Sequence, residues 1–151
     1  MITIFTLLGC KHDVKKGNEL TKSETEFIKG LGILGENESI IQFHSQSGES
    51  DEVKQAGNFY SDKRIAAYWI DDKDTSRTKI NSAFYNEIDT IITKDNSNDW
   101  TLGSYLKIRT KDGNTFKVYI SGNKDKTSKF FNGAIKEWES KKTPLNIQKN
   151  T

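Results

Sequence analysis

The side chains best suited to nucleophilic or acid–base chemistry in this sequence are Cys10, His12 and His44, the one cysteine and the two histidines. A catalytic thiol or hydroxyl needs a base within hydrogen-bond reach. His12 lies in a charged segment, and His44 lies near the end of a predicted strand, where we interpret it as a structural residue. The chain has no Gly-x-Ser-x-Gly and no phosphate-binding glycine loop of the Walker type. We therefore predict that the protein is not an enzyme and uses no cofactor.

The segment 95–99, Asp-Asn-Ser-Asn-Asp, places oxygen atoms at alternating positions, as a calcium-binding loop begins. Such a loop requires a glycine where this chain has Trp100, and a bidentate glutamate where it has Leu106. We therefore interpret 95–99 as a polar turn between strands. The acidic segment 71–74 is interpreted in the same way, and no metal site is predicted.

The composition indicates a single folded domain and argues against a nucleic-acid partner. With 151 residues the chain is long enough for one domain with a real core. All of its aromatic residues except Phe5 lie between Phe27 and Trp138, which indicates a folded middle. The net charge is only +2, from mixed charges, and arginine, which reads phosphates bidentately, occurs just three times. We expect no field of one sign and no nucleic-acid partner.

The first ten residues combine an apolar block with a small residue and a cysteine. Leu7-Leu8-Gly9-Cys10 resembles the lipobox of bacterial lipoproteins. The resemblance implies that the Cys10 sulfur receives a diacylglyceryl group and that a dedicated peptidase cuts before Cys10. It places the protein in the bacterial cell envelope, with acyl chains on Cys10 holding it at the inner or outer membrane, or at the cell surface.

Residues 1–9 would then be the remnant of a signal peptide. Because no lysine or arginine precedes Cys10, whereas signal peptides begin with a basic region, we expect the true start to lie upstream. The alternative is that residues 2–8 form a buried edge strand and Cys10 is an inert core thiol. The threonines at positions 3 and 6 break the alternation that such a strand would show.

After Cys10 the chain divides into three parts. Residues 10–20 are polar and charged, and we predict a lipidated cysteine on a flexible tether. Residues 21–142 form a single domain, and residues 143–151 a polar tail. The domain begins with a short helix over 22–31, because Thr21-x-x-Glu24 or Ser23-x-x-Glu26 supplies a capping box and closely spaced glycines follow.

The middle of the chain is predicted to consist of strands. Alternating or continuous apolar segments bounded by turns predict strands at 40–43, 57–61, 64–71, 79–84, 88–92, 100–110 and 115–121, with a polar loop at 45–55. The segment 64–70 is almost wholly apolar, which is typical of a central strand covered on both faces. Asp112-Gly113 between the last two strands is a strong hairpin signal.

The apolar period then changes to three or four residues. Phe130, Phe131, Ala134, Ile135 and Trp138 predict an amphipathic helix over 126–140 that packs on the strands, with Trp138 as its largest anchor.

Several of these features resemble bacterial pleckstrin-homology-like domains: Asn58-Phe59-Tyr60-Ser61-Asp62-Lys63-Arg64-Ile65, Phe84-Tyr85-x-Glu87-Ile88-x-x-Ile91, the glycine–asparagine hairpin and the final aromatic helix. The resemblance implies a mainly β fold with α: a bent antiparallel sheet or barrel of six to seven strands, capped by a C-terminal helix, with a short N-terminal helix before it. It implies no activity, because such scaffolds bind lipids, peptides or proteins.

We expect a lipid-anchored binding module for an unknown protein or peptide. The alternatives are a membrane-tethered inhibitor or immunity-type protein with one cognate partner, and a cytosolic pleckstrin-like adaptor if residues 1–10 are not a signal. Phosphoinositide binding is not expected, because the loop 45–55 holds three carboxylates and a single cation, Lys54, where head-group phosphates would bind. Lys63 and Arg64, one strand later, are too few to offset them.

Overall fold

The structure is a computed structural model that describes residues 14–45, 52–99 and 102–142. Its helices and strands are β1 (Lys15–Lys16), α1 (Lys22–Gly30), β2 (Ile40–His44), β3 (Ala56–Ser61), β4 (Arg64–Trp69), β5 (Lys79–Phe84), β6 (Ile88–Lys94), β7 (Ser104–Thr110), β8 (Thr115–Ile120) and α2 (Lys124–Lys141). The predicted mainly β fold, with a short N-terminal helix and a C-terminal helix, is confirmed. Within the described ranges the strands number eight.

All strand pairs are antiparallel, and they form two sheets rather than one continuous bent sheet. One sheet has the order β1-β2-β3-β4-β5 and the other the order β6-β7-β8. We refer to them as the five-stranded and the three-stranded sheet. The hairpin predicted at Asp112-Gly113 joins β7 to β8, and Gly113 has a φ of 91°, which favours glycine.

The five-stranded sheet packs against a hydrophobic cluster on each of its two faces. On the inner face, Tyr60, Ile65 and Ala67 pack with residues of the three-stranded sheet and α2. On the opposite face, Phe59 and Ala66 belong to a second cluster that includes residues of α1 and the segment after it. Every residue of β4 except the last is buried, so the predicted central strand is confirmed.

Helix α1 begins at the first of the two predicted capping boxes. The Thr21 hydroxyl accepts a hydrogen bond from the Glu24 backbone N–H (3.2 Å), and the Glu24 carboxylate accepts one from the Thr21 N–H (2.7 Å). These two bonds satisfy amide groups that the helix leaves without partners. The helix ends at Gly30, within one residue of the prediction.

The second half of the predicted tether is part of the fold. Lys15 and Lys16 pair with Phe43 and Gln42 of β2, and a turn of 3₁₀-helix follows at Gly17–Glu19. An ideal Cβ atom on Gly17 would lie 1.8 Å from a β2 carbonyl oxygen, so only glycine permits this approach. The flexible-tether prediction is therefore wrong for the residues from β1 onward, because backbone pairing does not depend on apolar side chains. Residues 10–13 lie outside the described part of the chain.

The predicted polar loop at 45–55 also contains buried residues. Val53 is 2% exposed, and its carbonyl oxygen accepts a hydrogen bond from the Tyr68 hydroxyl (2.5 Å). The buried Ser45 hydroxyl donates to the Ala56 carbonyl oxygen (3.1 Å). Both ends of this segment are thus fixed to the five-stranded sheet, and residues 46–51 are not described.

Helix α2 covers the core through the predicted Phe130, Phe131 and Ala134, which are buried, whereas Trp138 packs against the core only in part. Phe130 is fully buried and packs edge-on against Tyr60, with ring centroids 5.1 Å apart. Trp138 is partly buried, and its indole N–H lies 3.4 Å from the Ile88 carbonyl oxygen. The expectation that Trp138 is the main anchor is therefore corrected, because the tryptophan lies near the end of the helix at the margin of the core. Among the described residues, no helix is long and apolar enough to cross a membrane.

Burial of three tyrosines makes the fold sensitive to high pH. Burial raises the pKa of Tyr60 to about 12, and it raises the pKa of Tyr68 and Tyr85 well above the usual value near 10. The folded state therefore retains protons that the unfolded chain releases. The stabilisation is complete below about pH 10 and is lost as the pH rises through about 12.

We expect the melting temperature to fall steadily over that alkaline range. Tyr68→Phe should lower the melting temperature at neutral pH, because its hydrogen bond to Val53 is lost, but should make the alkaline decline shallower. Thermal melts at a series of pH values check this. Normal titration of the buried tyrosines in a protein that remains folded would contradict it.

Candidate functional site

The predicted chemical residues do not form a common site in the described structure. Cys10 and His12 lie outside the described residues. His44 is fully buried, and its Nε2 atom accepts a hydrogen bond from the Ser121 backbone N–H (3.0 Å). The imidazole thus joins the two sheets, which is the structural role expected from the sequence.

The acidic segment 95–99 makes hydrogen bonds typical of a turn. Asp95 Oδ1 accepts from the Ser97 backbone N–H (2.8 Å), and Asn96 N–H donates to the Ser104 hydroxyl (2.9 Å). Hydrogen bonds that Asp95 accepts hold its pKa below the usual range. Those from Ser97 have the largest effect, and the one from Ser104 has a smaller effect. Within the described ranges, no group of three or more histidine, cysteine, aspartate or glutamate side chains is placed to hold a metal ion.

Arg64, a basic residue of the predicted pleckstrin-like motif, is committed to the core. Its guanidinium forms an ion pair with Glu38, with Nη2 and Oε2 2.8 Å apart and side chains 11% and 0% exposed. The Ser61 hydroxyl and the Gly35 N–H also donate to this carboxylate, at 2.5 and 2.8 Å. Lys63 is exposed. Most of the acidic loop lies outside the described residues.

The clearest candidate site is the free edge of β8. Antiparallel pairing directs alternate backbone groups of an edge strand away from its partner. The Tyr119 N–H points away from β7 and donates to Asn58 Oδ1 (2.8 Å), as the Ser121 N–H donates to His44. By the same alternation, the backbone groups of Thr115 and Lys117 point outward. The edge is thus covered by side chains at one end and faces no strand of the described structure at the other.

A groove of about 470 Å³ lies beside this uncovered edge. Its floor is the inner face of the five-stranded sheet, and the described residues that line it are Ala56, Asn58, Ala67, Tyr68, Trp69, Lys79, Asn81, Thr115, Phe116, Lys117 and Tyr119. The side chains of the floor are short, because alanine and asparagine occupy the positions opposite the β8 edge. Space therefore remains above the sheet where the three-stranded sheet stops.

The groove joins an apolar anchor to positive charge. Trp69 is 44% exposed although it ends a buried strand. Lys79 and Lys117 are also exposed, and none of the described lining residues is acidic. An extended peptide laid on the edge could pair with Thr115 and Lys117 through its main chain, as strand addition does elsewhere. Alternate side chains of that peptide would point to the floor and to Trp69.

This groove was not predicted from the sequence, which indicated a buried strand through position 70. The available signal was two polar side chains on that face: Asn58, whose neighbours Ala56 and Tyr60 in β3 are apolar, and Asn81 of β5. A polar residue on an inward position indicates either a hydrogen-bond role or incomplete coverage. Here Asn58 has the first role and Asn81 lies where coverage ends.

Comparison with known proteins gives limited results. No family model matches the chain, and no curated protein matches it. Among solved structures, the chain is similar to a DUF1696 family protein with a pleckstrin-homology domain from Shewanella loihica PV-4. The similarity covers 77% of this chain and 90% of that chain, at 16% sequence identity and a TM-score of 0.47.

Proposed function

We propose that the protein is a non-enzymatic binding module that recognises an extended segment of a partner protein. The segment adds as a strand to the uncovered edge of β8, beside Trp69. The observation that carries this proposal is the outward backbone of Thr115 and Lys117 above an open groove. Main-chain pairing supplies affinity there, and contact with Trp69 supplies an anchor of the kind that dominates binding energies.

The groove favours an acidic segment. Two lysines line it without an acidic residue among the described lining positions, so a carboxylate on the partner gains attraction without displacing an existing ion pair. Such charges at the margin of a site mainly increase the association rate and select against basic segments.

The experiment selects ligands from a library of random peptides on the full chain carrying Cys10→Ser. We expect the selected peptides to be extended and enriched in aspartate and glutamate. Lys117→Pro removes one outward N–H without touching the pairing with β7, since proline is tolerated where an edge N–H faces solvent. That variant should abolish binding, and Trp69→Ala should weaken it roughly thirtyfold, as expected for loss of an anchor.

The matched control is Lys117→Ala, which removes the same side chain but retains the N–H. It should bind within a few-fold of the original chain. Peptides that bind Lys117→Pro as well as Lys117→Ala would show that the β8 edge is not the site.

We also propose that Cys10 carries lipid and holds the module in the bacterial envelope, as the sequence Leu7-Leu8-Gly9-Cys10 suggests. One acyl chain binds membranes only marginally, whereas two or three give a stable anchor. Labelled palmitate should therefore enter the full-length protein in its native host, and Cys10→Ser should leave an unprocessed precursor. An unmodified Cys10 thiol in the mature protein would exclude the anchor without affecting the groove.

A further inference from the structure

The outer face of the three-stranded sheet carries an ordered set of cations. Successive residues of a strand point to opposite faces, and Leu106, Ile108 and Val118 point into the core. The strand register therefore places three rows on the outer face: Lys94, Tyr105 and Tyr119; Ile92, Lys107 and Lys117; Thr90, Arg109 and Thr115.

The positive charge of this outer face is largely uncompensated. Arg109 forms an ion pair with Asp89, at 2.6 Å between Nη2 and Oδ2. Lys94, Lys107 and Lys117 are exposed, and none of them pairs with a carboxylate in the described part of the chain. The face thus holds a net charge of about three, although charges along the chain are well mixed.

Two of these lysines are placed in a way that does not favour folding. Lys107 and Lys117 are directly opposite each other on neighbouring strands, where like charges destabilise a sheet. Lys117 turns to the Tyr105 ring, with Nζ 4.3 Å from its centroid, while Lys107 remains directed to solvent. The repulsion between Lys107 and Lys117 lowers the stability of the isolated chain. We expect such a pair at a surface where an external anion offsets the repulsion.

We propose that this outer face rests on the surface of an anionic lipid bilayer. The charge is complementary, and lysine acts as a point charge suited to a diffuse anionic surface rather than to bidentate recognition. Protein interfaces are depleted in lysine, which argues against a protein partner here. Ile92, 55% exposed, lies among the lysines, and the two tyrosines have the amphipathic character of residues found at membrane surfaces.

The test measures cosedimentation of the full chain carrying Cys10→Ser with vesicles. We expect binding to vesicles of phosphatidylglycerol and phosphatidylcholine, weak binding to phosphatidylcholine alone, and release at high salt. Each lysine near such a surface contributes about a fivefold factor, so Lys94→Gln/Lys107→Gln should weaken binding on the order of 25-fold. Ile92→Ser should weaken it further, and free glycerol phosphate should not compete.

The control is Lys22→Gln/Lys73→Gln, which removes the same net charge from exposed positions in α1 and in the turn after β4. It should leave vesicle binding within a few-fold. Equal losses in both double variants, or no binding to the anionic vesicles, would overturn the proposal. Polyglutamate binding that is tighter than vesicle binding, is lost in Lys94→Gln/Lys107→Gln and is kept in Lys117→Pro would assign the outer face to an acidic protein and would overturn it as well.

Discussion

Phe130→Ala is expected to lower the free energy of unfolding by about 3–5 kcal/mol, the range for deleting a fully buried aromatic side chain. Phe130 is 0% exposed and packs against Tyr60 in the cluster that also contains residues of the three-stranded sheet, so its removal leaves a cavity that neighbouring side chains fill only in part. Urea denaturation followed by circular dichroism measures the change. The slope of the transition should remain the same, because the folded state stays compact.

The matched variant is Trp138→Ala, about two turns further along α2. Trp138 is the larger residue, but it is only partly buried and forms one long hydrogen bond to Ile88. Its substitution should therefore cost clearly less than that of Phe130. A larger loss for Trp138→Ala than for Phe130→Ala would contradict the position of α2 on the core.

Glu38→Ala is expected to be comparably destabilising, by about 3–5 kcal/mol, because it leaves the Arg64 guanidinium buried without its partner. The carboxylate receives hydrogen bonds from Arg64, Ser61 and Gly35, so one substitution removes a partner from two buried side chains and one half-buried N–H. These bonds attach the segment before β2 to the β3–β4 hairpin. Thermal and urea unfolding of the single variant measure the loss.

The double variant Glu38→Leu/Arg64→Met separates charge burial from packing. Replacing both members of a buried ion pair by apolar residues is often close to neutral, since the desolvation cost disappears with the pair. We expect it to regain most of the stability that Glu38→Ala loses. A double variant less stable than Glu38→Ala would show that the pair contributes more than it costs.

The two proposed surfaces can be used at the same time. In the two proposals, the partner segment pairs with the outward backbone of β8, whereas the bilayer contacts side chains on the outer face of the three-stranded sheet. Lys117 belongs to both, because its backbone lies on the edge and its side chain on the outer face. A module resting on a bilayer in this way would keep the groove at its side, open to an approaching segment.

Local signals in the sequence determined the elements of this fold. Thr21 and Glu24 specify the start of α1, because their capping bonds involve residues only three apart. Asp112 and Gly113 specify the last hairpin for the same reason. The change of apolar period after β8 predicted α2, and the continuous apolar segment predicted that β4 is central. Each of these depends on neighbours within one turn or one strand.

Only the tertiary structure decided which edges and faces remain open. Lys15 and Lys16 join a sheet through backbone hydrogen bonds, which their side chains do not predict. Trp69 and Trp138 look equally apolar in sequence, yet one ends a strand above an open groove and the other lies beside Ile88. Lys94, Lys107 and Lys117 meet because the register of three strands aligns them. Burial and strand register depend on contacts between residues distant in the chain, so periodicity alone cannot specify them.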